Sequence, residues 1–190
     1  GATHSLAVAL DGHVWAWGNN DGYRLGDGTT KDYLRPVEIG LANIAAVAAG
    51  RAHSLALSRT GEVYAWGHGG QGQLGLGTTK SRPRPTLVAG LRAASIDAGD
   101  NFSGAVLTNG KVAMWGANGS GQLGDQTVVR RLRPIMASGI DAIVSLGLGA
   151  AHSVALREDG EVRAWGEGES GRLGFGSELD ATAPMTIAVN

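Results

Sequence analysis

Three histidines recur at one position, His4, His53 and His152, each followed by a serine. The serines are Ser5, Ser54 and Ser153, and Ser103 completes the series beside Phe102. Such residues suggest two chemistries. Several imidazoles drawn together would bind zinc. A serine activated by a histidine would support acyl transfer if an acid oriented the ring. Equivalent positions on separate repeats rarely converge to ligand distance, and Phe102 fills the fourth place. No sequence-distinct Asp or His stands out as a triad partner. The histidines are therefore read as structural, fixing backbone groups between strands. No metal site, cofactor or catalytic residue is expected, and the chain is read as a non-enzyme.

G-x-G-x-x-G occurs at 70–75 and again at 119–124. A dinucleotide fingerprint needs a helix opening after the glycines, because the helix N-terminus holds the pyrophosphate. The segment LGTTKSRPRP that follows Gly75 is not helical in character. Two glycosylation sequons, at Asn101 and Asn118, carry little weight, since the motif is common by chance.

The elements that position these residues follow from a repeat. Trp-Gly stands at Trp17, Trp66, Trp115 and Trp165, with spacings of 49, 49 and 50 residues. Glycines keep fixed offsets from each Trp: Gly1, Gly50, Gly99 and Gly149 before it, and Gly26, Gly75, Gly124 and Gly174 after it. The single domain 1–190 divides approximately into 1–49, 50–98, 99–148 and 149–190. Asp11-Gly12, Thr60-Gly61, Asn109-Gly110 and Asp159-Gly160 each separate two strand-like runs, as hairpin turns do. The run 44–49 is read as a third strand, and the segments around Pro36, Pro85, Pro134 and Pro184 as edge strands.

Four short antiparallel strands in about fifty residues make one propeller blade. The expected fold is all-β, a β-propeller of four-stranded antiparallel blades. Both faces of a blade are buried, which explains Ser5, Ala7 and Ala9 opposite Leu6, Val8 and Leu10. Trp17, Trp66, Trp115 and Trp165 are expected to be equivalently buried. Trp15 breaks the period and is read as an edge residue covering a neighbour.

Composition sets outer limits. The 190 residues carry 16 Lys+Arg and 17 Asp+Glu, a net charge of -1, which excludes a globally basic nucleic-acid binder. Hydrophobic residues reach 43%, too many for a disordered chain. The 32 glycines exceed the roughly 13 of ordinary usage, without the period of collagen. Cysteine is absent, which excludes a disulfide framework. No apolar run is long enough for a bilayer span, and GATHSLAVAL has no basic n-region, so neither membrane insertion nor a signal peptide is expected.

The combined pattern G-x-x-H-S-L-A-L, G-x-V-x-A-W-G and G-Q-L-G-x-G-T-T resembles the RCC1 repeat, named for the regulator of chromosome condensation. It is clearest at 50–57, 61–67 and 72–79. Phe102, Gly104 and Asp125-Gln126-Thr127 depart from it, and Tyr23 stands where a glycine is expected. The resemblance implies a ring that usually closes with seven blades, against about four repeats here. Neither end carries a counterpart of the 44–49 strand for the first repeat. A part of a longer propeller is the favoured expectation, ahead of two copies in one ring or a four-unit ring, and self-association through the terminal blades is expected.

Charge is unevenly placed. Lys31 and Arg35, then Lys80, Arg82 and Arg84, then Arg130, Arg131 and Arg133 fall in three corresponding loops. Seven of the 17 acidic residues lie between Glu158 and Asp180. Corresponding loops share one rim, so a basic arc ends in an acidic blade. The expected function is a protein–protein interaction scaffold that binds another protein through rim loops. Two alternatives follow from the resemblance: a guanine-nucleotide exchange factor for a small GTPase, and a secreted bacterial propeller that inhibits an enzyme. Nucleic acid is a conceivable partner of the arc, but nothing else in the sequence supports it.

Overall fold

A computed structural model describes residues 1–188. Four antiparallel sheets follow one another along the chain. The first has three strands, β1 (His4–Val8), β2 (Val14–Gly18) and β3 (Tyr33–Glu38). The second has four, β4 (Ile44–Ala49), β5 (His53–Ser58), β6 (Val63–Gly67) and β7 (Arg82–Leu87). The third comprises β8 (Ala93–Ala98), β9 (Phe102–Leu107), β10 (Val112–Gly116) and β11 (Arg131–Met136). The fourth comprises β12 (Ile143–Leu148), β13 (His152–Arg157), β14 (Val162–Gly166) and β15 (Ala181–Thr186). Helix is confined, among the described residues, to two 3-10 turns, Asp21–Tyr23 and Glu169–Gly171.

The run 44–49 and its counterparts β8 and β12 contact one another, so they form the inner edges of their blades. Each pairs with the strand that follows it, across the glycine landmark. The blades are thus offset by one strand from the sequence repeats, and the first blade has three strands instead of the expected four. The proline-bearing strands are outermost. In the second blade pairing jumps from Ala65↔Thr86 to Gly67↔Arg82, a register shift that accommodates Pro83 and Pro85, which have no N–H to give. The Thr60-Gly61 hairpin closes with Gly61 at φ +85°, a conformation that only glycine adopts freely.

Alternate residues of each blade do face opposite neighbours. Val14, Ala16 and Leu25 of the first blade pack with Ala56 and Trp66 of the second. Leu55, Val63, Ala65 and Leu74 of the second pack with Ala105, Ala113 and Trp115 of the third. Val112, Met114 and Leu123 of the third pack with Ala155 and Trp165 of the fourth. Two expectations need correction. Leu10 lies beyond the end of β1 and is fully exposed. Trp66, Trp115 and Trp165 are completely buried, but Trp17 is only half-buried, since among the described residues no other blade packs on its face. Trp15 is half-buried beside it.

Candidate functional site

The periodic histidines, serines and tryptophans meet at the seams between blades. Arg24 of the first blade presents its carbonyl to two donors of the second, Trp66 Nε1 at 3.0 Å and Ser54 Oγ at 2.7 Å. Gln73 O receives Trp115 Nε1 and Ser103 Oγ at 2.8 Å each. Gln122 O receives Trp165 Nε1 at 2.8 Å and Ser153 Oγ at 2.9 Å. His4 Nε2 lies 2.9 Å from Ser54 Oγ, and His53 Nε2 lies 2.8 Å from Ser103 Oγ. Since each serine proton points to the carbonyl, the imidazole must donate, so the tautomer carries its proton on Nε2. The expectation of a histidine holding backbone groups is thereby refined: it acts on the next blade's serine, and the serine holds the backbone.

Burial enforces the neutral ring. It pushes His53 down to about 3 and, with help from the N-terminal ammonium and Arg24, His4 down to about 4. His4 Nδ1 and His53 Nδ1 are buried without a partner, which suits a bare lone pair better than a second proton. A serine whose proton is held by a carbonyl and a histidine that donates to it form the reverse of an activated nucleophile. Among the described residues no three His, Asp or Glu side chains gather to hold a metal ion. At the third seam Phe102 replaces the imidazole, and Ser153 keeps only its carbonyl.

The G-x-G-x-x-G segments are the loops that carry the Gln73 and Gln122 carbonyls, and they form turns. At the corresponding place in the first loop Tyr23 adopts φ +67°, the conformation of Gly72 and Gly121. The irregularity does change the first loop, since Gly22 at φ +69° precedes Tyr23 within a 3-10 turn that the second and third loops lack. Within two loops an asparagine serves as a clamp. Asn20 amide reaches Asp27 and Thr29 O while its carbonyl accepts Leu25 N–H, and Asn118 repeats this with Asp125, Thr127 O and Leu123. Burial works against the Asp27 and Asp125 carboxylates. Hydrogen bonds from Thr29 and Asn20, and from Thr127 and Arg131, outweigh it and hold both below the usual range. The Asn118 sequon is thus part of the loop's own frame. These asparagines were legible only as an Asn seven residues before an Asp, and of the acceptor carbonyls the sequence marks only the position, with Gln73 and Gln122 in the repeated G-Q-L-G and Arg24 at the same place in the first repeat.

The basic arc divides by environment. Arg131 forms a two-pronged pair with Asp125, at 2.6 and 2.7 Å. Arg84 lies across Gly28, where an added Cβ would meet its guanidinium at 2.7 Å, and Arg133 lies across Gly77 in the same way. Lys31 sits over the Tyr33 ring, 5.3 Å from its centre. Lys31, Arg35, Lys80, Arg84, Arg130 and Arg133 are exposed, Arg82 half-buried, and none of these seven pairs with a carboxylate among the described residues. Gly28 N–H bonds Pro83 O and Gly77 N–H bonds Leu132 O, so the loops follow one another along one rim. In the fourth blade much of the acidic charge is met locally. Arg157 and Arg163 pair with Glu161 at 2.7 and 3.1 Å, and Arg172 with Glu167 and Glu169. Hydrogen bonds from Thr186, Arg157 and Arg163 hold Glu161 down to about 2.

No helix among the described residues is long and apolar enough to cross a membrane. The RCC1-like domain family matches residues 1–190. Among solved structures, yeast RCC1 (Prp20) bound to Kap60 superposes with a TM-score of 0.89 at 25% identity, over 98% of this chain and 47% of that one. Prp20p from Saccharomyces cerevisiae, reported with its binding properties to Gsp1p and histones, gives 0.89 and 25% over 98% and 49%. Human WBSCR16, at 23% identity, gives 0.89 over 98% and 51% and supports the fold alone. The chain therefore spans about half the length of the structures it matches. Periodic Trp-Gly pairs, the seams they build and the family match over every residue agree, and the chain belongs to the RCC1-like domain family.

Proposed function

We propose that this propeller domain is a non-catalytic scaffold that binds an acidic protein through the basic rim loops. One observation carries the reading: Lys31, Lys80, Arg82 and Arg130 lie along consecutive loops of one rim with no carboxylate partner among the described residues. Unpaired like charges on a rigid frame repel one another, and an acidic partner relieves that repulsion while gaining in on-rate. The internal seams support a non-enzymatic role, since His4, His53, Ser54, Ser103 and Ser153 are all engaged in holding blades together. Rim loops vary without disturbing such a frame. Gsp1p and histone binding by Prp20p shows that a relative of this fold engages other proteins.

The test uses an oligo-glutamate peptide as the acidic probe, with fluorescence anisotropy read at low and moderate salt. Reversing Lys80, Arg82 and Arg130 to Glu should weaken binding at least about tenfold and flatten its salt dependence, with the unfolding midpoint unmoved. Duplex DNA in the same titration tests the phosphate backbone as the competing partner. Unchanged peptide binding would return the loops to ordinary solvated surface.

A further inference from the structure

Each internal seam is a set of knobs on the later blade and sockets on the earlier one. Gly26, Gly75 and Gly124 are seats for indoles: a Cβ there would lie 2.6, 3.0 and 2.9 Å from the ring nitrogens of Trp66, Trp115 and Trp165. Gly28 and Gly77 are seats for Arg84 and Arg133. The third seam changes both halves of that pair together, with Gln126 in the glycine's place and Ala183 in the arginine's. Gly72 is the seat for Leu132, and Gly121 for Thr182.

The chain's two outer faces carry one half of each pair. The first blade has the knobs: Trp17 half-buried, Leu34 at 98% exposure, Arg35 exposed, and Ser5 without a side-chain hydrogen bond. The fourth has the sockets. Gly171 and Gly176, which match the seats for Leu34 and Arg35, have nothing within 4 Å of a built Cβ, and Gly174 meets only Ile187, at 3.3 Å. His152 is half-buried, against the complete burial of His53, and neither its Nε2 nor Arg172 O has a hydrogen-bond partner among the described residues. The halves agree in kind. Arg35 requires a glycine seat and finds Gly176, whereas the internal seam that lacks the arginine also lacks the glycine. Charge agrees as well, since exposed Glu178 follows two residues after Gly176.

We propose that the first blade of one copy docks on the fourth blade of a second copy. Trp17 then seats on Gly174, Leu34 on Gly171 and Arg35 on Gly176, and Ser5 bridges His152 Nε2 and Arg172 O. The contact is heterologous, so it repeats head to tail. The knobs supply apolar burial, and the hydrogen bonds and charge fix the register. This removes Arg35 from the rim surface available to an acidic partner, and it stands independently of that reading.

Sedimentation velocity of the 190-residue chain tests it, from low to high micromolar concentration. The sedimentation coefficient should rise with concentration. Leu34→Asp and Ser5→Arg should each weaken association at least about tenfold, because both place a charge in the contact. Their unfolding midpoints in dilute solution should stay unmoved, since both side chains face solvent there. The absence of native cysteine allows a second readout. A mixture of Ser5→Cys and His152→Cys chains treated with a short bis-maleimide should give a linked dimer that neither variant gives alone. A monomer at every concentration would overturn the proposal and leave these faces to further repeats of a longer polypeptide. Association indifferent to Leu34→Asp and Ser5→Arg, or linkage that needs only one variant, would overturn it too.

Discussion

Trp66 and Trp17 occupy the same place in successive repeats, yet one is sealed and the other is half-open. Their strands, turns and flanking glycines correspond, so local sequence does not separate them. Trp66 has Gly26 beneath it and Arg24 O in front of it, both from the preceding blade. Trp17 has neither. The stability of a propeller blade therefore resides in its neighbour as much as in itself, which is the nearest-neighbour logic of repeat proteins.

The largest test of that contrast is truncation of the two indoles. Trp66→Ala should cost about 3–5 kcal/mol, since it opens a cavity in a closed seam and frees a buried carbonyl of one donor. Trp17→Ala should cost roughly 1 kcal/mol or less in dilute chains, where its face is wet. Denaturant midpoints at unchanged m-value measure both. Equal losses would show that the first blade is packed by something other than a preceding blade. One step smaller is the serine pair. Ser103→Ala leaves the His53 Nε2 proton without an acceptor and should cost about 1–3 kcal/mol, whereas Ser5→Ala should stay within about 0.5 kcal/mol.

The periodic residues made the fold legible, because each Trp-Gly, hairpin glycine and edge proline satisfies a need that the blade itself imposes. The offset of blade from repeat was less plain. A strand such as 44–49 reads the same whichever neighbour it joins, and only the pairing Ile44↔Ser58 assigns it to the second blade. The candidate site was legible as types of residue and not as partners. His53 was recognised, but its acceptor lies fifty residues away, and the carbonyl behind that acceptor belongs to Gln73, whose side chain is occupied in its own loop, accepting Gln71 N–H. Arg84, Arg131 and Arg133 looked like equal members of a rim. Only tertiary contact shows Arg131 held by Asp125 and the other two laid over the preceding loop.

The smallest effect at neutral pH separates the seams themselves. His53 and Phe102 both set their rings over the glycine three residues earlier, Gly50 and Gly99, so the site accepts either shape. His53→Phe should therefore change stability by less than about 1 kcal/mol near pH 7, since Ser103 keeps its bond to Gln73 O as Ser153 keeps its bond to Gln122 O. Acid distinguishes the two. The folded ring resists protonation down to about pH 3, against an ordinary 6.5. Between those values the unfolded chain binds a proton that the folded chain refuses, so stability is complete above about 6.5 and falls as the pH drops, by at most about 1.4 kcal/mol per unit for this one group. His4 adds the same sign down to about 4. The carboxylates, led by Glu161, lose their own contribution at lower pH, as the pH falls through their ordinary range toward about 2. Urea midpoints taken at intervals from pH 7 to about pH 5 isolate the histidine window. His53→Phe should flatten the decline there, leaving the shares of His4 and of His152, whose ring burial also lowers, and His4→Phe with His53→Phe should flatten it further. A decline unchanged in the double variant would mean that the neutral imidazoles do not set the acid sensitivity of the seams.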